Sequence, residues 1–100
     1  MKLDFSKVLI GMEGKPIIID EKDLTLGKAS ILALRLNDPN DKFDGAEKLS
    51  RFMLGMKIAQ ATDPLELTIE EVAKLKDLTG KYLSVEVAGA AWLALEAGVK

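Results

Sequence analysis

Gly11-Met12-Glu13-Gly14-Lys15 is the first stretch with the composition of a ligand loop. Backbone amides beside a lysine can cradle a phosphate. The spacing that does so places four residues between the glycines and a Ser or Thr after the lysine. Here two residues intervene and Pro16 follows, so the segment reads as a hairpin turn. Asp38, Asp41 and Asp44, followed by Gly45 and Glu47, gather the oxygen ligands that hard cations prefer. Calcium loops, however, alternate their ligands and close with a distant Glu. A solvated loop with a helix cap accounts for these acids. Glu70 and Glu71 could share general acid–base work. Both fall in the first turn of a helix, where carboxylates meet the positive end of the dipole. Neither His nor Cys occurs. That removes disulfides, thiol nucleophiles, zinc sites and Ser-His-Asp or Cys-His arrangements, along with the side chain best suited to proton transfer near neutral pH. The expectation is a protein that is not an enzyme and needs no metal or other cofactor.

Binding is what the residues leave open. Val85 to Ala97 carries only two charges, Glu86 and Glu96, ten residues apart and so near one face of a helix. A helix with one thin charged stripe must be covered almost all round. Ala88, Ala91, Trp92 and Leu95 are therefore candidate contacts with a protein partner, a second copy included. The small residues let another backbone approach, and Trp92 or Leu95 would sit at the centre. Trp92, the sole tryptophan, is the natural interface anchor. The same four residues suit close packing inside the domain. The methionines could form an adaptable surface, but the spacing of Met53 and Met56 places them on a core stripe.

Charge excludes other partners. The chain has 100 residues with 14 basic and 16 acidic, a net charge of −2. The lysines are scattered and only two arginines occur, so the concentrated positive footprint of a nucleic-acid binder is missing. The longest apolar run, Val87 to Leu95, is nine residues, against about 20 for a membrane span. The opening residues lack the apolar stretch of a signal peptide. The expected setting is the cytoplasm, with no nucleic acid and no membrane.

These residues need elements to position them. With 48% hydrophobic and 30% charged residues, the chain has ample material for one core, read as a single domain over 1–100. The fold class expected is α+β, mainly α: a β-hairpin within 1–20, then a bundle of about four helices over 25–98. Val8-Leu9-Ile10 and Ile17-Ile18-Ile19 are the hairpin arms, and Asp20 to Asp23 is a polar turn. Thr25 caps a helix to Leu36 that is apolar nearly all round and hence central. Asn37 to Asp41 is a loop. Asp44 with Glu47 starts a second helix reaching about Ala61, with Leu49, Phe52, Met53, Met56 and Ala59 as its buried stripe and Lys48 and Arg51 opposite. Thr68 with Glu71 is a capping box, and Leu67 with Val72 its hydrophobic staple. The third helix runs from Ile69 to Thr79, burying Ile69, Val72, Leu75, Leu78 and Thr79, and Gly80 is its stop. Ser84 caps a fourth helix ending before Gly98.

The order of these segments resembles small accessory proteins encoded by tailed bacteriophages and prophages. The likeness is carried by Met1 to Leu9, Gly14-Lys15-Pro16-Ile17, Asp23-Leu24-Thr25-Leu26-Gly27, Glu47-Lys48-Leu49-Ser50-Arg51-Phe52, Leu67-Thr68 through Lys81, and Ala90-Ala91-Trp92. It spans nearly all of the chain, but its residues are fold-forming ones, so no functional residue follows from it. The resemblance implies a phage-encoded protein of the virion assembly module, in the host cytoplasm or the virion. It would bind copies of itself or a virion component, as a possible homo-oligomer. A different class of function is a small inhibitor or regulator that covers the surface of a host protein.

The capping box is a local signal and so directly testable. Thr68→Ala should lower stability by about 1 kcal/mol, the usual worth of an N-cap, and Thr68→Ser should restore most of it. Urea denaturation of the three proteins reads this, and equal stability of the Ala variant would mean that the helix begins elsewhere.

Overall fold

The computed structural model describes residues 2–36, 44–62 and 64–97. Its elements, in chain order, are β1 (Lys2–Leu3), β2 (Ile18–Ile19), β3 (Lys22–Asp23), α1 (Leu26–Arg35), α2 (Gly45–Ala59), β4 (Leu65–Glu66), α3 (Ile69–Tyr82) and α4 (Val85–Ala97). The fold is α+β and mainly α, with an N-terminal hairpin and four helices. Asp38 and Asp41 lie outside the described residues, and Asp44 is the N-cap of α2.

The extended opening segment makes two successive turns. At the first, Gly11 donates its amide to the Lys15 carbonyl at 2.8 Å and Gly14 donates to Gly11 at 3.0 Å. Gly14 holds φ +78°, a conformation that glycine adopts without steric cost. The second turn departs from the expected reading. β2 and β3 pair antiparallel, Ile18 opposite Asp23 and Ile19 opposite Lys22, across a two-residue turn at Asp20 and Glu21. Both have positive φ, 53° and 66°, as the turn that matches strand twist requires. The usual Asn-Gly signature is absent there, so these residues read as a turn without arms. β1 pairs antiparallel with β4, a contact across more than sixty residues that no local pattern announces.

Three chain passes then close on one another. The Leu9 amide donates to the Leu24 carbonyl at 2.9 Å, Ile17 to Leu9 at 2.9 Å, and Leu24 to Ile17 at 2.7 Å. This cyclic set of bonds delivers the chain to the start of α1. The first amides of a helix have no partner within it. In α1 the Leu26 amide donates to the Lys7 carbonyl at 2.9 Å and the Gly27 amide to the Phe5 carbonyl at 2.8 Å. Thr25 Oγ1 accepts from Lys28 at 3.2 Å. The opening segment and the cap together satisfy the buried end of the central helix.

α1 packs on α2, α3 and α4. Its Ala29, Ser30 and Ala33 are fully buried, which lets neighbouring helices approach. One cluster of Leu, Ala, Phe, Val and Ile side chains runs from Leu3 to Leu95. α3 begins as expected: Thr68 Oγ1 accepts from the Glu71 amide at 3.1 Å, the Glu71 carboxylate accepts from the Thr68 amide at 2.9 Å, and Leu67 and Val72 of the staple are buried. Two expectations for α3 are corrected. It continues through Gly80 to Tyr82, because Gly80 provides a floor for Trp92, whose indole nitrogen would lie 3.4 Å from an added Cβ. Ile69 is exposed, since the first helical position lies ahead of the packed face.

Gly27 cannot carry a side chain: a Cβ there would lie 2.9 Å from the Phe5 carbonyl oxygen. Gly55 of α2 can, as its Cβ would meet Leu34 at an ordinary 3.7 Å. Gly27→Ala should therefore destabilise by about 1–3 kcal/mol through forced backbone shift, whereas Gly55→Ala should stabilise by about 0.5–1 kcal/mol through helix propensity. Thermal and urea midpoints of the pair measure this opposition in sign.

Candidate interaction surface

α2 is where the structure departs furthest from the sequence reading. The stripe expected in the core faces outward: Leu49, Phe52, Met53 and Met56 are 56%, 65%, 59% and 43% exposed, and Ala59 is exposed as well. The buried residues of α2 are Leu54 and Ile58. The helix is apolar on two faces. The fuller one faces outward, and the inward side also carries Glu47, which meets Lys74 of α3.

Those polar residues fix the helix from beneath. Arg51 donates to Glu47 at 3.1 Å. The Lys74 ammonium of α3 lies 3.2 Å from the same carboxylate and donates to Ser50 Oγ at 2.9 Å. Lys57 meets Glu71 at 3.5 Å. Asp44 accepts from the Glu47 amide at 3.0 Å, so half of the expected capping box is present, and the Glu47 side chain turns to Arg51 and Lys74 instead. The Arg51 hydrogen bond, reinforced by Lys74, holds the Glu47 carboxyl below its ordinary range. Burial raises that of Glu71, but the Thr68 hydrogen bonds and Lys57 outweigh it, and the net direction is also down.

The outward ridge is continuous. Leu49, Phe52, Met56 and Ala59 alternate at three- and four-residue spacing, the pattern that lines one side of a helix and fits against another helix. An open groove of about 690 Å³ runs along one flank, between α2 and the start of α3, and another of about 260 Å³ along the other, between α1 and α2. Leu49 and Met53 line the first, and Phe52 and Met56 the second. Scattered exposed apolar residues are normal, but a contiguous ridge is a candidate interaction surface.

The four residues singled out from sequence do not form one surface. Ala91 and Leu95 are fully buried and belong to the packing of α4, not to a partner site. Ala88 is half-buried. Trp92 is 40% exposed and folds back on α3: its indole N–H donates to the Lys76 carbonyl at 2.8 Å, and the Lys76 ammonium sits 5.6 Å from the ring centroid. Both charges of α4 are also engaged. Glu86 accepts from the Met12 amide at 3.2 Å, and Glu96 meets Lys76 at 3.4 Å. The surface that sequence reasoning missed is Leu49, Phe52, Met53 and Met56. Its signal was Leu54 and Ile58, an apolar pair four apart that the chosen stripe left unexplained.

Among the described residues, no group of three Asp or Glu is placed to hold a metal ion, and no helix is long and apolar enough to cross a membrane. No protein-family model matches the chain, and no match was found among curated proteins or solved structures.

The carboxylates under the ridge couple α2 to pH. A group whose folded-state pKa is depressed stabilises the fold above its unfolded value and loses that contribution as pH falls through the folded value. For Glu47 and Glu71 the stabilisation should be complete above the ordinary glutamate value of 4.5 and decline below it. Urea midpoints measured between neutral pH and pH 3 should fall on the acid side, and Glu47→Gln should flatten that limb. An unchanged limb would remove Glu47 as a contributor.

Proposed function

We propose that this chain is a non-catalytic binding protein whose working surface is the outward ridge of α2. The observation that carries the reading is the ridge itself: four large apolar side chains, contiguous and exposed, on a helix whose other face meets α3 through Glu47 and Lys74. A helix presents residues at three- and four-residue spacing along one side, so the ridge offers a continuous strip for a partner. Phe52 with two methionines supplies aromatic area and adaptable thioethers, a mixture enriched at protein interfaces.

The setting we propose is virion assembly. The order of fold-forming segments, from the Gly14-Lys15-Pro16-Ile17 turn to Ala90-Ala91-Trp92, resembles small proteins of tailed phages and prophages. A morphogenesis factor or minor structural component fits a domain with an exposed apolar ridge on α2. Its partner is another copy or a virion component, met in the host cytoplasm or in the particle.

A photo-crosslinking residue at position 53, introduced during infection, tests both parts. Tail or capsid proteins, or the chain itself, should be trapped through position 53 and lost when Phe52→Asp is added. A single host enzyme in their place would replace this reading with that of an inhibitor. No adduct dependent on Phe52 would remove the ridge as the working surface.

A further inference from the structure

The chain contains no cysteine, so its thioethers are the side chains that a peroxide attacks first. Met12 is 75% exposed, and Met53 and Met56 stand on the exposed ridge of α2. Among the described residues the core cluster holds no methionine. An oxidant therefore meets thioethers at the surface, and the leucine and alanine packing beneath offers it nothing. The two ridge methionines divide the ridge between them. Met53 lines the groove beside α3, and Met56 the groove beside α1. Leu49 and Phe52, next to them, do not react with the same oxidant. Leu54 and Ile58, which hold the inner face of α2, do not react either.

The chemistry is an oxygen transfer. The thioether sulfur attacks the peroxide, a sulfur–oxygen bond forms and the oxygen–oxygen bond breaks. The sulfur is oxidised to a sulfoxide, and the peroxide is reduced to water or an alcohol. A flexible apolar side chain becomes a polar, chiral one, and sulfoxide reductases reverse the change. Burying the new polar oxygen against an apolar partner costs free energy unless a hydrogen bond is found for it. In a core the same lesion disrupts packing. On this helix it changes the surface and leaves the packing as it was.

We propose that Met53 and Met56 make the α2 ridge an oxidation-sensitive switch: as thioethers they keep it apolar and able to bind, and as sulfoxides they make it polar and release what it holds, while the fold persists. This rests on the α2 ridge being the working surface and adds its regulation by peroxide. Sulfoxides at both positions set a polar group in each groove, leaving Leu49 and Phe52 as the large apolar contacts of the ridge.

Hydrogen peroxide on the purified chain tests the switch. Peptide mass mapping should find one added oxygen on Met53 and one on Met56, at rates close to those in the denatured chain. Retention on a phenyl column should fall to that of a Met53→Gln, Met56→Gln variant, with the thermal midpoint unchanged. Sulfoxide reductase with a thiol should restore retention, and a Met53→Leu, Met56→Leu variant should keep it through the same treatment. Uptake of oxygen at these sites only after denaturation overturns the proposal. So does a midpoint that falls with retention, or a leucine variant that loses retention as the wild type does. During infection, a photo-crosslinking residue at position 49 should give Phe52-dependent adducts that disappear when Met53→Gln and Met56→Gln are added. Adducts that survive those changes overturn the switch and leave the ridge as the working surface. Their absence from the otherwise unsubstituted chain removes the ridge reading, and the switch with it, whatever the column shows.

Discussion

The buried start of α1 is the constraint on which the rest of the molecule depends. A helix that enters the core amide-first brings donors with no partner of their own, and leaving them unmet costs more than most single contacts return. This chain meets them with the carbonyls of Phe5 and Lys7 and the hydroxyl of Thr25. Meeting them dictates the path of the opening segment. The segment must pass close enough that Gly27 has no room for a Cβ, and the cyclic bonds among Leu9, Ile17 and Leu24 hold it there. Leu24-Thr25-Leu26-Gly27 is thereby one device: two buried leucines, a cap and a clearance. With α1 fixed, α2, α3 and α4 have a common surface to pack on.

What the sequence disclosed follows the range of the interaction involved. The caps at Thr25, Asp44 and Thr68 were legible because each is a contact across three residues, complete within its own segment. The fold class and the central place of α1 were legible because they follow from composition and periodicity. The pairing of β1 with β4 was not, because nothing near Lys2 refers to Leu65. Gly80 misled for a similar reason: its role is set by Trp92, twelve residues on in another helix. The candidate site failed at α2, where periodicity identified a coherent apolar stripe and could not say which way it pointed. Leu49, Phe52, Met53 and Met56 are better core material than Leu54 and Ile58 by volume. The inward side also carries Glu47, whose partner Lys74 lies on α3.

The apolar surplus assigned to α4 from its composition is resolved mostly inside the chain. Ala91, Ala94 and Leu95 are buried, and Trp92 covers part of the remaining face by lying along α3 with its N–H satisfied. A chain of this size buries roughly two-thirds of its unfolded surface, so a composition with 48% hydrophobic residues must leave apolar area outside. The informative fact is its distribution. The core is built chiefly from leucine and alanine, while Phe52, Met12, Met53 and Met56 are exposed. Large and flexible side chains have been kept for the surface.

That division explains why a ridge can coexist with a stable fold. Exposed apolar residues on a loosely attached helix would pull it toward the core and compete with Leu54 and Ile58 for their places. Turning α2 over would carry Glu47 away from Lys74 and leave Glu71 without Lys57, while the small side chains of α1 would face Phe52 and Met53 without room for them. The Glu47–Lys74 and Lys57–Glu71 contacts thus favour the observed packing over the inverted one. The same residues that keep the ridge out of the core keep it straight and presented, so the outward face of α2 is a consequence of how its inner face is held.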